Sequence, residues 1–213
     1  MQPMSINVSG TEGYAERAPA LREQWRAISF AGQHGPILHF MPDAPAKIVD
    51  IGCGIGTDAA ALAALGHAVV AVEPVDELRE AARELHPSAP VEWLDDSLPD
   101  LAVLLARRET FDAVMLTAVW MHLDEEQRHR AMPRIASLLR AGGVSIMSLR
   151  HGPVPEGRRM FDVTPEETIR LASMQGLRLV CELRTSSVQQ ANRDRGVTWT
   201  RLVFEKSVPP GRP

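Results

Sequence analysis

From residue 47 onward the chain alternates short, mostly apolar runs with stretches whose apolar residues recur at helical spacing. The apolar runs predict seven strands, over residues 47–51, 67–72, 91–94, 111–116, 144–149, 177–183 and 197–204. Helical spacing predicts a helix over 57–65 closed by Gly66, one over 76–85 with Asp76 as N-cap, one over 98–107, and one over 125–139 capped by Asp124. A further helix is expected after Thr164, which is followed by Pro165 in the first turn and by Glu167 three positions on. Gly142-Gly143 turns the chain into the fifth strand, and a Pro- and Gly-rich loop, 151–161, leaves it. Ahead of this regular part, Leu21, Trp25 and Ile28 would share one face of a helix within 15–30. Residues 34–46 carry Pro36, Pro42 and Pro45 and read as a connector.

Strands that are apolar throughout and alternate with helices predict a parallel sheet covered on both faces. Right-handed crossovers make it a doubly wound α/β fold, with a mostly parallel seven-stranded sheet. A largely polar segment, 185–196, joins the last two strands, so no helix is expected there and the pair should be antiparallel. The division expected is an N-terminal helical cap over 1–45, a ligand-binding domain over 46–206 and a disordered tail over 207–213.

Composition narrows the function classes. With 45% hydrophobic and 23% charged residues the chain suits a soluble globular fold. A net charge of −4 argues against a nucleic-acid binder, which would carry a basic face. No run approaches the roughly 18 apolar residues of a membrane span. Residues 1–10 lack the apolar core of a signal peptide, so a cytoplasmic protein is expected. Two cysteines, Cys53 and Cys181, make neither a metal cage nor a disulfide framework, and no pair of acids and histidines has metal-ligand spacing.

The informative segment is Asp50-Ile51-Gly52-Cys53-Gly54-Ile55-Gly56, which lies between a strand and a helix. Open α/β sheets bind ligands at that edge. Glycines at alternate positions let the backbone turn sharply and approach a ligand closely. The helix beginning near Thr57 offers free N–H groups to a negative group. Glu73 ends the second strand 21 residues after Gly52, where a carboxylate can accept hydrogen bonds from both ribose hydroxyls of an adenosine. A dinucleotide site would need glycine at position 57, where Thr57 stands, and this argues against nicotinamide or flavin cofactors. The plain alternative is a tight turn that binds nothing.

This pattern resembles class I S-adenosylmethionine-dependent methyltransferases, especially bacterial enzymes of small molecules. The family's D-x-G-x-G-x-G loop is matched by Asp50, Gly52, Gly54 and Gly56, and its strand-end acid by Glu73. Its acid after the third strand is matched by Asp96, with Asp95 as the competing register. Its L-x-P-G-G step is matched by Leu139 to Gly143, with Ala141 in place of proline. Motifs carry the resemblance over about 46–150 and strand pattern carries it to about 205. The resemblance implies a Rossmann-like methyltransferase fold with S-adenosyl-L-methionine as cofactor. It places Gly52, Cys53 and Gly54 along the methionine and ribose, Glu73 and Pro74 at the ribose, and Asp96, Ser97 and Leu98 at the adenine. Thr117 and Ala118 would lend backbone near the methionine amino group, and Tyr14 would fold over the cofactor as a lid or lie on the surface.

Methyl transfer from a sulfonium is an in-line displacement that asks for alignment and exclusion of water. A base is needed only if the acceptor must lose a proton. His122 follows the fourth strand and His151 the fifth, so both are candidates to contact the acceptor or its proton, or else shape loops. Trp120 and Met121 flank His122 and either wall the pocket or pack in the core. Arg150, Arg158 and Arg159 in one loop, and Arg193 and Arg195 in another, would meet above the site. Guanidinium groups there suit a carboxylate on the acceptor, the alternative being solvated loops and a pairing with Asp162. His34 and His39 are weaker candidates for capping the pocket, and His67, His86 and His129 fall on strand or helix positions away from it. The function expected is methylation of a small-molecule acceptor. The alternatives are another displacement with the same cofactor, such as cyclisation, or a non-catalytic cofactor-binding module.

Overall fold

A computed structural model of the protein describes residues 8–208. Seven strands form one sheet in the order β3-β2-β1-β4-β5-β7-β6. They are β1 Lys47–Ile51, β2 Ala68–Val72, β3 Val91–Leu94, β4 Phe111–Leu116, β5 Leu139–His151, β6 Leu177–Ser186 and β7 Thr198–Lys206. The first five pair in parallel, and β7 inserts antiparallel between β5 and β6. The doubly wound sheet and its antiparallel end are therefore as the sequence pattern predicts.

Strand parity divides the core into two layers. Ile48, Val69, Ala71, Ala113 and Met115 face one side, with Phe30, Ile37, Ala59 and Leu62 from the helices there. Their neighbours Val49, Val70, Val72, Val114 and Leu116 face the other side, against Leu104, Met132, Ile135 and Leu171. Successive strand side chains point to opposite faces, so an unbroken apolar run is what burial on both faces requires. Each fully buried Ile, Leu or Phe contributes about 1.5–3 kcal/mol.

The helices are α1 Ala18–Trp25, α2 Phe30–His34, α3 Thr57–Ala64, α4 Asp76–Leu85, α5 Ala102–Ala106, α6 Glu125–Leu138, α7 Pro165–Ser173 and α8 Gln190–Asp194. Asp124 caps α6 in a complete capping box with Gln127, and the Thr164 hydroxyl accepts the Glu167 N–H at the start of α7.

Several boundaries differ from expectation. The N-terminal helix is two, because Ser29 restarts the chain by accepting the Gly32 N–H. Gly35–Phe40 is a 3-10 helix that buries Ile37, not an open connector. Asp76 is the first residue of α4 rather than its N-cap, a place taken by Val75, and its carboxylate pairs with Arg79. The helix expected from residue 98 begins only at Ala102: Pro99 disfavours helical backbone at Leu98, and Leu101 is left-handed. The polar 185–196 connection contains α8, a single short helix. Of the tail expected to be disordered, residues 209–213 lie outside the described residues.

Candidate functional site

A cavity of about 550 Å³ opens at the carboxyl ends of β1, β2, β4 and β5. That edge includes the point between β1 and β4 where the strand order reverses, which is where sheets of this kind bind ligands. The cavity is roofed by residues of the N-terminal segment and by the β6–β7 connection, which meet where the Gln24 amide donates to Gln189 at 2.6 Å.

The glycine turn forms the floor. The N–H groups of Gly52 and Cys53 both donate to Val72 O, which ties the turn to the end of β2. Gly52 has φ +72°, and a Cβ there would come within 2.5 Å of the Val119 side chain. Gly56 has φ +76° and starts α3, and a Cβ there would meet the Trp93 ring and Ala82. Both positions thus demand glycine on two counts, backbone sign and space. Gly56 does not line the cavity; it sets the turn from below. Replacing Gly56 with alanine is expected to destabilise the fold by about 1–3 kcal/mol, measured by urea denaturation.

The turn surrounds three acids. Asp50 is wholly buried, its Oδ1 has no partner among the described residues, and burial, with Asp58 and Glu73 nearby, pushes its carboxyl well up. Glu73 accepts the Gly54 N–H at 2.8 Å and the Val75 N–H at 3.0 Å, and burial raises it to about 7. Asp58 on α3 is held by His34 at 2.7 Å and by the Thr117 hydroxyl. His34 therefore supports the wall from behind rather than lining it, while His39 is exposed and away from it. Burial also pushes the Cys53 thiol up.

Asp96, Ser97 and Leu98 line the same cavity. Asp96 accepts the N–H groups of Ser97 and Leu104, so it also fastens the loop into α5. Asp95 instead faces Arg79 and does not line the cavity. Pro74, Thr117 and Ala118 are on the wall as well. Ala118 has φ +60°, an unusual conformation for a residue with a side chain, and its N–H donates to the Ser148 hydroxyl.

Across the cavity His122 ends the 3-10 turn Trp120–His122. Its Nδ1 lies 2.9 Å from Arg159 O, and its Nε2 lies 3.0 Å from the Tyr14 hydroxyl. A carbonyl only accepts, so Nδ1 carries the proton and Nε2 accepts from Tyr14. Burial lowers the His122 pKa, which keeps the ring neutral. Burial raises Tyr14 to about 12, so the phenol stays protonated. Arg158 stacks 3.4 Å over the Tyr14 ring and holds it across the site.

Two sequence candidates move away. Trp120 is fully buried in the core and donates its indole N–H to the Thr168 hydroxyl. A 3-10 turn sends adjacent residues in different directions, so Met121 and His122 reach the wall and Trp120 does not. His151 does not line the cavity and pairs with the Thr200 hydroxyl at 2.8 Å. Strand parity is the reason: Arg150 faces the cavity, so the next residue faces away. Arg150 and Arg195 line the wall as expected, and Arg158 joins them, whereas Arg159 pairs with Asp124 and Arg193 turns back on its own loop.

The residues sequence reasoning missed include Arg201 and Trp199 on β7, Ser148 on β5, and Asp58. A signal for Arg201 did exist: it is the one charged residue within the run 197–204.

A β1-Gly-turn-α3 unit and an acid at the end of β2 thus meet at the sheet edge where the strand order reverses. Residues 48–143 match the family described as Methyltransferase domain. A ubiquinone biosynthesis O-methyltransferase of Xanthomonas campestris pv. campestris is 33% identical over 105 residues, covering 48% of this chain and 42% of that protein. The chain spans about two fifths of the length of the curated relatives it matches. A TehB-like methyltransferase from Corynebacterium glutamicum has the same fold, with TM-score 0.67 and 24% identity over 90% of this chain and 99% of that one. The [4+2]-cyclase SpnF also has it, with TM-score 0.69 and 17% identity over 97% of each chain.

Proposed function

We propose that the protein transfers a methyl group from S-adenosylmethionine to a small-molecule acceptor that carries negative charge. The residues present fit the cofactor. A Cβ at Gly52 would run into Val119 where the turn borders the cavity, Asp50 has a buried oxygen without a partner among the described residues, and Glu73 stands at the end of β2 on the cavity wall. Gly52, Gly54 and the start of α3 would hold the methionine part, Glu73 the ribose hydroxyls, and Asp96, Ser97 and Leu98 the adenine. Bound there, the cofactor supplies a methyl carbon activated by its sulfonium.

The chain's own contribution is alignment, dryness and one proton acceptor. The single observation that carries this reading is the His122 geometry: Arg159 O fixes the Nδ1–H tautomer and leaves the Nε2 lone pair facing the cavity. An acceptor X–H would replace the Tyr14 hydroxyl at Nε2 and give up its proton there. Arg150 and Arg195 lie on the acceptor half of the wall, which supports an anionic acceptor. Residues near the N-terminus, including Tyr14, would act as the cap over a domain beginning near residue 46. No helix among the described residues is long and apolar enough to cross a membrane, and the two free thiols, Cys53 and Cys181, agree with a cytoplasmic setting.

Calorimetry with S-adenosylhomocysteine tests the binding half of the proposal, with saturable heat expected. Mass spectrometry of products from a panel of small acids tests the chemistry. A gain of one methyl mass supports transfer, whereas a product of unchanged mass would point to cyclisation instead.

A further inference from the structure

About half of the arginines among the described residues are matched to carboxylates, and these include two buried ones, Arg79 and Arg128. Arg79, Arg107, Arg128, Arg130, Arg140, Arg159 and Arg178 each hold at least one. Arg201 and Arg150 do not, although they are more deeply buried than most, at 6% and 9% exposure. Among the described residues the Arg201 side chain makes no hydrogen bond or ion pair, and its Nε is buried without a partner. Arg150 makes only a long contact, 3.3 Å, to Gly152 O. The nearby acid Asp58 is already engaged by His34 and Thr117.

Register explains how these two cations come together. Ser148 stands opposite Arg201 and Arg150 opposite Trp199 across the β5–β7 pair. Opposed residues of an antiparallel pair project to the same face, so Arg150, Arg201, Ser148 and Trp199 form one patch, and all four line the cavity. The Ser148 hydroxyl already accepts the Ala118 N–H, so it gives the guanidinium groups no charge compensation. Arg195, more exposed, reaches the same cavity from the loop after α8, and burial lowers both Arg150 and Arg201. Burying a cation without a counter-charge is costly, and a fold that wanted only packing would place an apolar residue at 201.

We infer that Arg201, Arg150 and Arg195 form a built oxyanion subsite, and that the acceptor is a small organic acid whose carboxylate or phosphate is seated there while its nucleophilic atom lies at His122. This rests on the methyltransferase reading and specifies its substrate class. Guanidinium forks suit such groups because they offer parallel N–H donors in one plane. The Trp199 ring beside Arg201 gives the organic part of the acid an apolar wall.

The test is calorimetry of four probes, benzoate, phenyl phosphate, benzamide and phenol, on protein with and without saturating S-adenosylhomocysteine. One of the two acids is expected to bind at least 10-fold more tightly than the neutral probes, and which one it is separates a carboxylate from a phosphate. R201Q and R150Q are each expected to weaken that acid at least 10-fold while leaving the S-adenosylhomocysteine Kd within twofold. R201M is expected to raise the melting temperature of ligand-free protein by about 3 °C, since it removes an uncompensated buried charge. Equal affinity for acids and neutral probes would overturn the subsite, as would an unchanged acid affinity in R201Q. A lower melting temperature in R201M would also overturn it, by marking Arg201 as structural. Should S-adenosylhomocysteine fail to bind wild-type protein, the methyltransferase reading falls, and the acid probes on ligand-free protein still judge the subsite on their own.

Discussion

Glutamine in place of Glu73 is expected to weaken S-adenosylhomocysteine binding about 100-fold, the loss of charge-assisted hydrogen bonds to two ribose hydroxyls. Calorimetry at pH 8 reads this directly, and an affinity within twofold of wild type would remove Glu73 from the ribose. The same variant carries an opposite effect on stability. Burial raises Glu73 to about 7 in the folded protein, against an ordinary value of 4.5. Between those values the folded chain holds a proton that the unfolded chain has released. The stability this group contributes is therefore fully present below pH 4.5 and is lost as pH rises through 7, an effect of about 3 kcal/mol. The wild type minus E73Q difference in melting temperature should thus fall over pH 4.5–7 and level off above it. Cofactor affinity of the wild type should move the other way, because an ionised carboxylate would be the better acceptor for the proposed ribose hydroxyls.

Removing the imidazole of His122 is the second change with a large expected effect. H122A should lower kcat by about 100-fold or more for an acceptor that must lose a proton, with the S-adenosylhomocysteine Kd within twofold of wild type. Burial holds His122 below 6.5, and the neutral ring is the active form, so wild-type turnover should rise with pH to a plateau reached before neutrality. That acid limb should vanish in H122A. H151A is expected to leave turnover within twofold, because its imidazole is spent on Thr200 across β5 and β7. Loss of cofactor affinity in H122A to the same degree as turnover would reassign His122 to a structural role.

Strand positions were legible because burial on both faces leaves a continuous apolar run, as in Ala68–Val72. The glycine turn was legible because backbone sign restricts those positions to glycine, and Glu73 because it closes the second apolar run. The acceptor half was not. Whether His151 or Arg150 faces the cavity is a matter of strand parity, which depends on a register that the sequence does not print. Trp120 and Met121 differ by one step of a 3-10 turn, and only the fold says which one enters the core. Arg201 was hidden by position: it belongs to the last strand, which reaches the site only because β7 inserts beside β5. The pairing of Tyr14 with His122 spans 108 residues and leaves no local trace.

That pairing has a consequence for the resting enzyme. The phenol that bridges from the N-terminal segment to Nε2 occupies the one lone pair the proposed chemistry requires. Until an acceptor competes for it, the proton sink is stoppered. Water drifting into the chamber then finds no assistance in attacking the activated methyl carbon, so an idle molecule would conserve its donor rather than squander it.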